Sequence, residues 1–402
     1  MDHEVQNSID SKLDKYFKHK YLGIPIFLFV MYILFQATFT VSKPFIGLIE
    51  QFFVFLSTQS AILLASSPSW LISLISESII GGIGSVIIFF PNIFFLFFFI
   101  SLLQDSGYLS RASFSLDKFM SKIGLNSKSF IPLILGFGCN VPAILASKTI
   151  ENKRDRILTI LISPFISCSA RLPIYVLFTS IFFSKHEGLV IFSVYLIGIV
   201  MAIFSGLILK KTIFKGNGHN SIIKLPSYKI PKLSKTLRHT WLETKMFIKK
   251  AGTIIFAAAI FIWLFSSLPF GVEYASKESV IGQIGQFLAP IFAPLGFGFW
   301  EAAVALIFGL IAKEIVIGSF GTIYGEAALG TVLAGVFTPL SAYSFMIFVL
   351  LYIPCVATLA AIRRELNTKW MIFASLFLLS VAYLVSLIVY QGGLLFLKLF
   401  SI

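Results

Sequence analysis

Charged residues are scarce in this sequence of 402 residues. Asp, Glu, Lys and Arg together make up 12% of it, whereas an ordinary soluble domain contains about 25%. Hydrophobic residues account for 57% and aromatic residues for 16%. So little charge excludes a water-soluble fold, and the composition predicts a membrane protein.

Four stretches contain no Asp, Glu, Lys or Arg at all: 81–103, 188–209, 339–362 and 370–397. Each is longer than the about 18 residues that indicate a membrane span. Because lipid offers no partner to a backbone amide, the spans should be helices. We therefore expect an all-α polytopic membrane protein of about 8 to 10 helices, some of them broken or re-entrant.

The residues of common catalytic and cofactor sites are also few. The five His all lie outside the apolar stretches, and no phosphate-binding G-x-x-x-x-G-K-[ST], H-E-x-x-H or G-x-S-x-G motif occurs. These absences argue against a nucleotide site of the P-loop type and against an enzyme. An intramembrane enzyme with a Cys nucleophile is the weakest alternative, because no span offers a His base beside a thiol.

The net charge of +14 is concentrated in one segment. Residues 210–250 contain eleven Lys or Arg and one acid, Glu243. Positive residues near span ends stay on the cytoplasmic side and attract anionic lipid. The segment is therefore interpreted as a cytoplasmic loop, and nucleic-acid binding is not expected because no folded basic module accompanies it.

The charge and apolar patterns divide the chain into six parts. They predict an amphipathic interfacial helix on the cytoplasmic side, a first span with an outer interfacial helix beginning near Pro44, two repeats separated by the basic loop, and a short tail. The N-terminus is predicted to be cytoplasmic. The boundaries are 1–21, 22–84, 85–209, 210–250, 251–392 and 393–402.

The two repeats are indicated by a weak internal similarity. GFGCNVPAILASKTIENKRDR around Cys139 and YIPCVATLAAIRRELNTK around Cys355 share one order: a helix breaker, a Cys, a small apolar helix and a charged end. Interrupted apolar segments at corresponding positions of two repeats are the best sequence indication of a transporter's binding site.

The cysteines are the first candidates for that site. Pro142 follows Cys139 by three residues and Pro354 directly precedes Cys355, so each thiol is expected beside freed backbone carbonyls. Sulfur combined with oxygen suits a borderline transition metal. Cys168 is a third candidate, and the alternative for any of the three is a small buried hydrophobe.

Charges inside apolar segments are the second set of candidates, because they cost about 2.5 to 3.5 kcal/mol at the membrane centre. Arg171 is predicted to need an acid, for which Asp105, Glu301 and Glu314 are available, and a structural ion pair is the simplest interpretation. Glu314 can instead serve as a ligand or a gate, and its neighbour Lys313 is grouped with Asp105, Arg171 and Glu301 as a gating or ion-pair residue.

Four motifs carry a resemblance to a known family: GFGCNVPAI at 136–144, SPFISCSARLPIY at 163–175, AKEIVIGSFGTIYG at 312–325 and YIPCVATLAAIRRE at 352–365. They resemble the membrane half of ferrous iron transport protein B, the FeoB family, and the likeness runs from about residue 22 to about residue 390. It implies two Gate-type repeats and an Fe(II) permease in a bacterial inner membrane. The family pattern commonly has Glu where this sequence has Gln104.

The resemblance also implies a site and partners. The proposed ligands of the passing Fe(II) are Cys139 and Cys355, supported by Cys168, Asn140 and Glu314. The family's proteins begin with a GTPase domain, so that domain is expected either in a longer form of this chain or as a separate protein. Small Feo accessory proteins, membrane lipid and further copies of the chain are the other expected partners. A Gate-type permease for another divalent metal or for nucleosides remains the alternative.

Overall fold

The fold is described from a computed structural model. It describes residues 23–64, 68, 71–72, 75, 79–108, 120, 125, 127–214, 231–248, 252–269, 276–324 and 329–400. The predicted amphipathic helix at 1–21 and residues 215–230 of the basic loop lie outside these ranges.

Every regular element in the described ranges is helical. Short 3-10 turns accompany the α-helices at Ser127–Ser129, Ser147–Thr149, Ser163–Phe165, Ser169–Arg171 and Ala293–Leu295. The α-helices are α1 Gly23–Leu63, α2 Gly81–Asp105, α3 Phe130–Gly138, α4 Asn140–Ala146, α5 Lys153–Ile162, α6 Leu172–Phe182, α7 Glu187–Thr212, α8 Leu233–Phe247, α9 Thr253–Ser267, α10 Val280–Phe292, α11 Trp300–Ile311, α12 Ile315–Tyr324, α13 Leu329–Val336, α14 Pro339–Leu351, α15 Val356–Glu365 and α16 Thr368–Phe400.

Helices long and apolar enough to cross a membrane are present, and they confirm the predicted all-α polytopic fold. Within the described residues there are five of them, or up to seven if each of two sharply bent helix pairs is one span. The bend between Val280–Leu295 and Trp300–Ile311 is 100°. The five are Phe29–Leu63, Lys153–Phe182, Glu187–Thr212, Pro339–Glu365 and Thr368–Leu399.

The α-helices outnumber the predicted eight to ten because backbone breaks divide apolar segments into pairs of helices. Cys139 separates α3 from α4, residues 312–314 separate α11 from α12, and residues 352–355 separate α14 from α15. Proline explains two of the three breaks, since it has no N–H to donate to the helical ladder. These interruptions, and not the long helices, position the candidate residues.

Two long helices extend past boundaries drawn from the sequence. α1 continues through Pro44, where the outer interfacial helix was predicted to begin. A single proline removes one hydrogen bond and kinks a helix, and the bonds on both sides can still hold it together. α16 likewise continues through residues 393–400 of the predicted tail, the last two residues of which lie outside the described part.

The contacts divide the chain into two compact units. The first unit consists of residues 1–134, 146–159 and 206–256. In it α2 packs against α1 and α8. Met31 and Tyr108 form a small buried cluster, and the rings of Phe90 and Trp241 meet edge to face at 6.2 Å.

The second unit consists of residues 135–145, 160–205 and 257–402, and it contains all three breaks. Its core is a group of buried phenylalanines. The Phe345 ring lies 5.2 Å from Phe178, 5.4 Å from Phe337 and 5.2 Å from Phe297. Edge-to-face and stacked pairs of this kind add about 0.5 to 1.5 kcal/mol each to the burial of the rings. This core anchors α6 and α14, whose ends lead into the irregular segments of the site.

Candidate functional site

The break at Cys139 is built by a proline. In a continuous helix the N–H of residue 142 would bond the carbonyl of Gly138, but Pro142 has no N–H. The hydroxyl of Ser169 donates to that carbonyl instead, at 2.9 Å. The freed oxygen is thereby satisfied by a neighbouring segment, and Cys139 stands between α3 and α4 outside both helices.

Asn140 begins the second half of this break. It is 4% exposed, and its side-chain oxygen Oδ1 has no hydrogen-bond partner among the described residues. A Cβ on Gly136 would come within 3.1 Å of this oxygen, so glycine leaves it room. A buried oxygen without a donor is costly, which makes Asn140 a fitting cation ligand.

The second break precedes Cys355. α14 ends where the amide of Tyr352 donates to Phe348, and Pro354 cannot continue the ladder. Cys355 then caps α15, because its carbonyl accepts from the amides of Thr358 and Leu359. Its Sγ lies 3.1 Å from the hydroxyl oxygen of Thr358.

Cys168 and Arg171 belong to a third irregular segment, between the 3-10 turns Ser163–Phe165 and Ser169–Arg171. Arg171 is fully buried, and its Nη1 donates to the carbonyls of Pro164 at 3.2 Å and Ile166 at 3.3 Å. Within the described residues its Nε and Nη2 have no hydrogen-bond partner. The guanidinium thus holds the unwound backbone together, and no described contact joins it to a carboxylate.

Lys313 occupies the break between α11 and α12. Its side chain is 1% exposed. Its Nζ donates to the carbonyl of Ile353 at 2.7 Å and lies 3.2 Å from the centroid of the Tyr352 ring. The Tyr352 hydroxyl in turn donates to the carbonyl of Leu306 at 3.3 Å.

The three thiols belong to the same unit. Cys168, Cys355 and Glu314 lie within electrostatic range of Cys139, and Arg171 and Lys313 lie within that range of Cys168. Each cysteine is half-buried, and none is in a disulfide. Among the described residues, however, no three or more His, Cys, Asp or Glu side chains are grouped closely enough to hold a metal ion.

Two predicted residues lie apart from this cluster. Glu301 is in the first turn of α11, where its electrostatic partner is Lys277 and its neighbour is the Tyr324 hydroxyl. Asp105 belongs to the first unit and accepts a hydrogen bond from Thr236 at 3.2 Å. Neither makes a described ion pair with Arg171.

Sequence reasoning missed two groups that shape the site, the hydroxyl of Ser169 and the ring of Tyr352. Ser169 directly follows Cys168 and Tyr352 lies two residues before Pro354, so proximity to the breaks was the available signal. Their partners, Gly138 and Lys313, are distant in the chain, and no local pattern indicates such pairs.

Comparison with protein families identifies the segments that carry these breaks. Residues 86–182 and 248–369, more than half of the chain, match the Gate family, which is described as "Nucleoside recognition". Residues 191–242 match the family described as "Ferrous iron transport protein B C terminus". The chain belongs to the FeoB family. The resemblance drawn from the four motifs is confirmed, and all four lie within the two Gate segments.

Relatives in the FeoB family are similar over nearly the whole chain. The Fe(2+) transporter FeoB of Staphylococcus aureus strain MSSA476 is 46% identical over 402 residues, which cover 98% of this chain and 60% of the relative. That of Methanocaldococcus jannaschii is 45% identical over 96% of this chain and 59% of the relative. A fusion protein of Fe(2+) transport protein A and FeoB from Porphyromonas gingivalis is 37% identical.

The chain thus spans about 60% of the length of the S. aureus relatives, as their membrane portion. No solved structure matches it significantly.

Proposed function

We propose that this chain is the Fe(II)-conducting part of a ferrous iron uptake system in the cytoplasmic membrane of a bacterium. The observation that carries the proposal is the position of Cys139, Cys168 and Cys355 in one unit and within electrostatic range of one another, each where one helical element ends and the next begins. The names of the FeoB relatives, which are Fe(2+) transporters, support the same substrate.

The donor set suits a passing ion. Fe(II) would exchange part of its hydration for thiol sulfur at Cys139 and Cys355, with Cys168, Asn140 and Glu314 as supporting ligands. Borderline metals accept such mixed sulfur and oxygen donors. A pathway requires binding that is weak enough for the ion to leave.

Partners follow from the same proposal. A GTPase domain, in a longer form of the chain or as a separate protein, would set the state of the gates from the cytoplasmic side, where the basic segment 210–250 is predicted to lie. The fusion of Fe(2+) transport protein A with FeoB in a relative supports small accessory proteins as partners. Further copies of the chain can associate through small residues on exposed helix faces such as Gly318.

Anaerobic uptake of radioactive Fe(II) into proteoliposomes tests the function. We expect Cys139→Ser and Cys355→Ser each to lower uptake at least about tenfold, because a hydroxyl is a poor substitute for a soft thiol ligand. Ser375→Ala is the matched control, because the described hydrogen bond of this hydroxyl is to Met371 in its own helix. The purified variants should elute and unfold like the native chain.

Two outcomes would contradict the proposal. Unchanged uptake in both Cys variants would show that the thiols do not bind the passing ion, although Fe(II) would remain the substrate. If an excess of nucleoside suppresses Fe(II) uptake, so that Fe(II) stays outside the proteoliposomes, the nucleoside alternative would replace the Fe(II) function.

A further inference from the structure

The amino group of Lys313 lies among groups that bind cations. It is buried, and its two described partners are the Ile353 carbonyl at 2.7 Å and the face of the Tyr352 ring at 3.2 Å. The carboxylate of Glu314 and the buried guanidinium of Arg171 are among its electrostatic neighbours. The carbonyl oxygen, the ring face and the carboxylate attract a positive charge, whereas Arg171 repels one.

The same groups would serve a cation in transit. Ile353 is two residues before Cys355, and its carbonyl is in the segment that Pro354 prevents from being helical. Carbonyls of such segments replace the water around a permeating ion, and aromatic faces bind cations. Lys313 therefore fills a cation-binding position two residues from Cys355, which the proposed function names as a ligand of Fe(II).

We propose that Lys313 is a tethered competitor cation, which fills the site between the Ile353 carbonyl and the Tyr352 ring until a doubly charged ion displaces it. The inference rests on the proposed function and identifies Lys313 as the residue that selects ions by their charge. An ion and the ammonium cannot share this site, because like charges at contact repel strongly in a low dielectric. A monovalent ion has no electrostatic advantage over the ammonium, whereas a divalent ion has twice its charge.

The neighbouring residues hold the competitor in place. The Tyr352 hydroxyl is bonded to Leu306, and Gly309 leaves room for it, since a Cβ there would collide with that hydroxyl. The ring is thereby fixed as one wall of the ammonium site. Displacement of Lys313 then requires only that its own flexible side chain withdraw.

Equilibrium binding of Co(II) to the full chain in detergent tests the proposal. Lys313→Met keeps the length of the side chain and removes the charge, so it should bind Co(II) at least about tenfold more tightly than the native chain. Lys313→Arg keeps the charge and should bind no more tightly than the native chain. Lys369→Met, an exposed lysine of the same unit, is the control and should change nothing. Equal affinity of Lys313→Met and the native chain, or no Co(II) binding by either, would overturn the proposal.

Chemical rescue gives a readout that a structural role would not produce. Lys313→Ala leaves a space that propylammonium can fill, so millimolar propylammonium should weaken Co(II) binding to this variant and not to the native chain. The variant can be purified in propylammonium if it is unstable without it. Failure of propylammonium to compete would overturn the proposal, whichever way Lys313→Met behaves.

Transport separates this inference from the proposed function. In proteoliposomes, Lys313→Met should admit Na⁺ or K⁺ alongside Fe(II), whereas the native chain should admit Fe(II) only. Native Fe(II) uptake with an unchanged ion preference in the variant would refute the competitor and leave the permease intact. An absence of Fe(II) uptake by the native chain would refute the permease itself.

Discussion

Tyr352 is a single residue with two tasks at the break before Cys355. Its ring faces the Lys313 ammonium, while its hydroxyl reaches back to the Leu306 carbonyl in α11. The place of its hydroxyl is set by Gly309, where any side chain would collide with it. A glycine in the middle of a helix ordinarily destabilises that helix. Here the contact between the Tyr352 hydroxyl and the Leu306 carbonyl requires one.

Gly309→Ala should therefore destabilise the protein by about 1 to 3 kcal/mol, the usual cost of overpacking. The added methyl would meet Val316 at 2.5 Å as well as the Tyr352 hydroxyl. Gly318→Ala is the matched control, because nothing lies within 4 Å of a Cβ there, and it should stabilise its helix by about 0.5 to 1 kcal/mol. SDS titration of the purified proteins in mixed micelles measures both effects, and equal stability of the two variants would contradict the packing argument.

At the scale of elements, the site consists of helix ends. α3, α4, α14 and α15 are all too short to span a membrane alone, and each contributes a terminus to an unwound segment. Backbone groups left free at such termini must be satisfied inside the protein. Ser169 and Arg171 do this for Gly138, Pro164 and Ile166, so the third segment supports the first.

Pro142→Ala tests whether the break at Cys139 is needed. Residue 142 would regain an N–H that can bond the Gly138 carbonyl, so α3 and α4 could join into one helix and Cys139 would lose its place at a helix end. We expect Fe(II) uptake to fall at least about tenfold while the protein remains folded. Pro339→Ala is the control, because Pro339 is at the start of α14, where no N–H is required. Full uptake by Pro142→Ala would show that the proline has no part in transport.

For the whole molecule, orientation is the property that the charge distribution predicts. α7 has 26 residues and no charge between its ends, and its length of about 39 Å exceeds the roughly 30 Å of a bilayer core. Its N-terminal end adjoins the turn that contains Lys185, and its C-terminal end carries Lys210 and Lys211 at the start of the basic loop. The positive-inside rule then places Lys211 in the cytoplasm and Lys185 outside.

Cysteine labelling in cells checks this orientation. A membrane-impermeant maleimide should label Lys185→Cys in intact cells, and Lys211→Cys only after the cells are opened. Both positions are exposed, and the native chain, with its three half-buried cysteines, measures the background. Labelling of Lys211→Cys in intact cells would reverse the predicted topology.

Much of the architecture was determined by the sequence alone. Uncharged stretches longer than a bilayer is thick require helices, and the prolines beside Cys139 and Cys355 favour interruptions, since both effects act on neighbouring residues. The repeats, the thiols and the buried charges of Arg171 and Lys313 could be identified for the same reason. The residue types themselves indicate this chemistry, whatever their position in the chain.

Only the tertiary structure decided which partners these groups have. Arg171 was expected beside a carboxylate and Lys313 was expected to serve in gating or in an ion pair. Their described hydrogen bonds go to backbone carbonyls of irregular segments instead. A carbonyl is present in every residue, so no letter of the sequence marks one that a helix break has freed. Which buried cation meets which freed oxygen depends on packing between segments far apart in the chain, and that is a property of the folded protein.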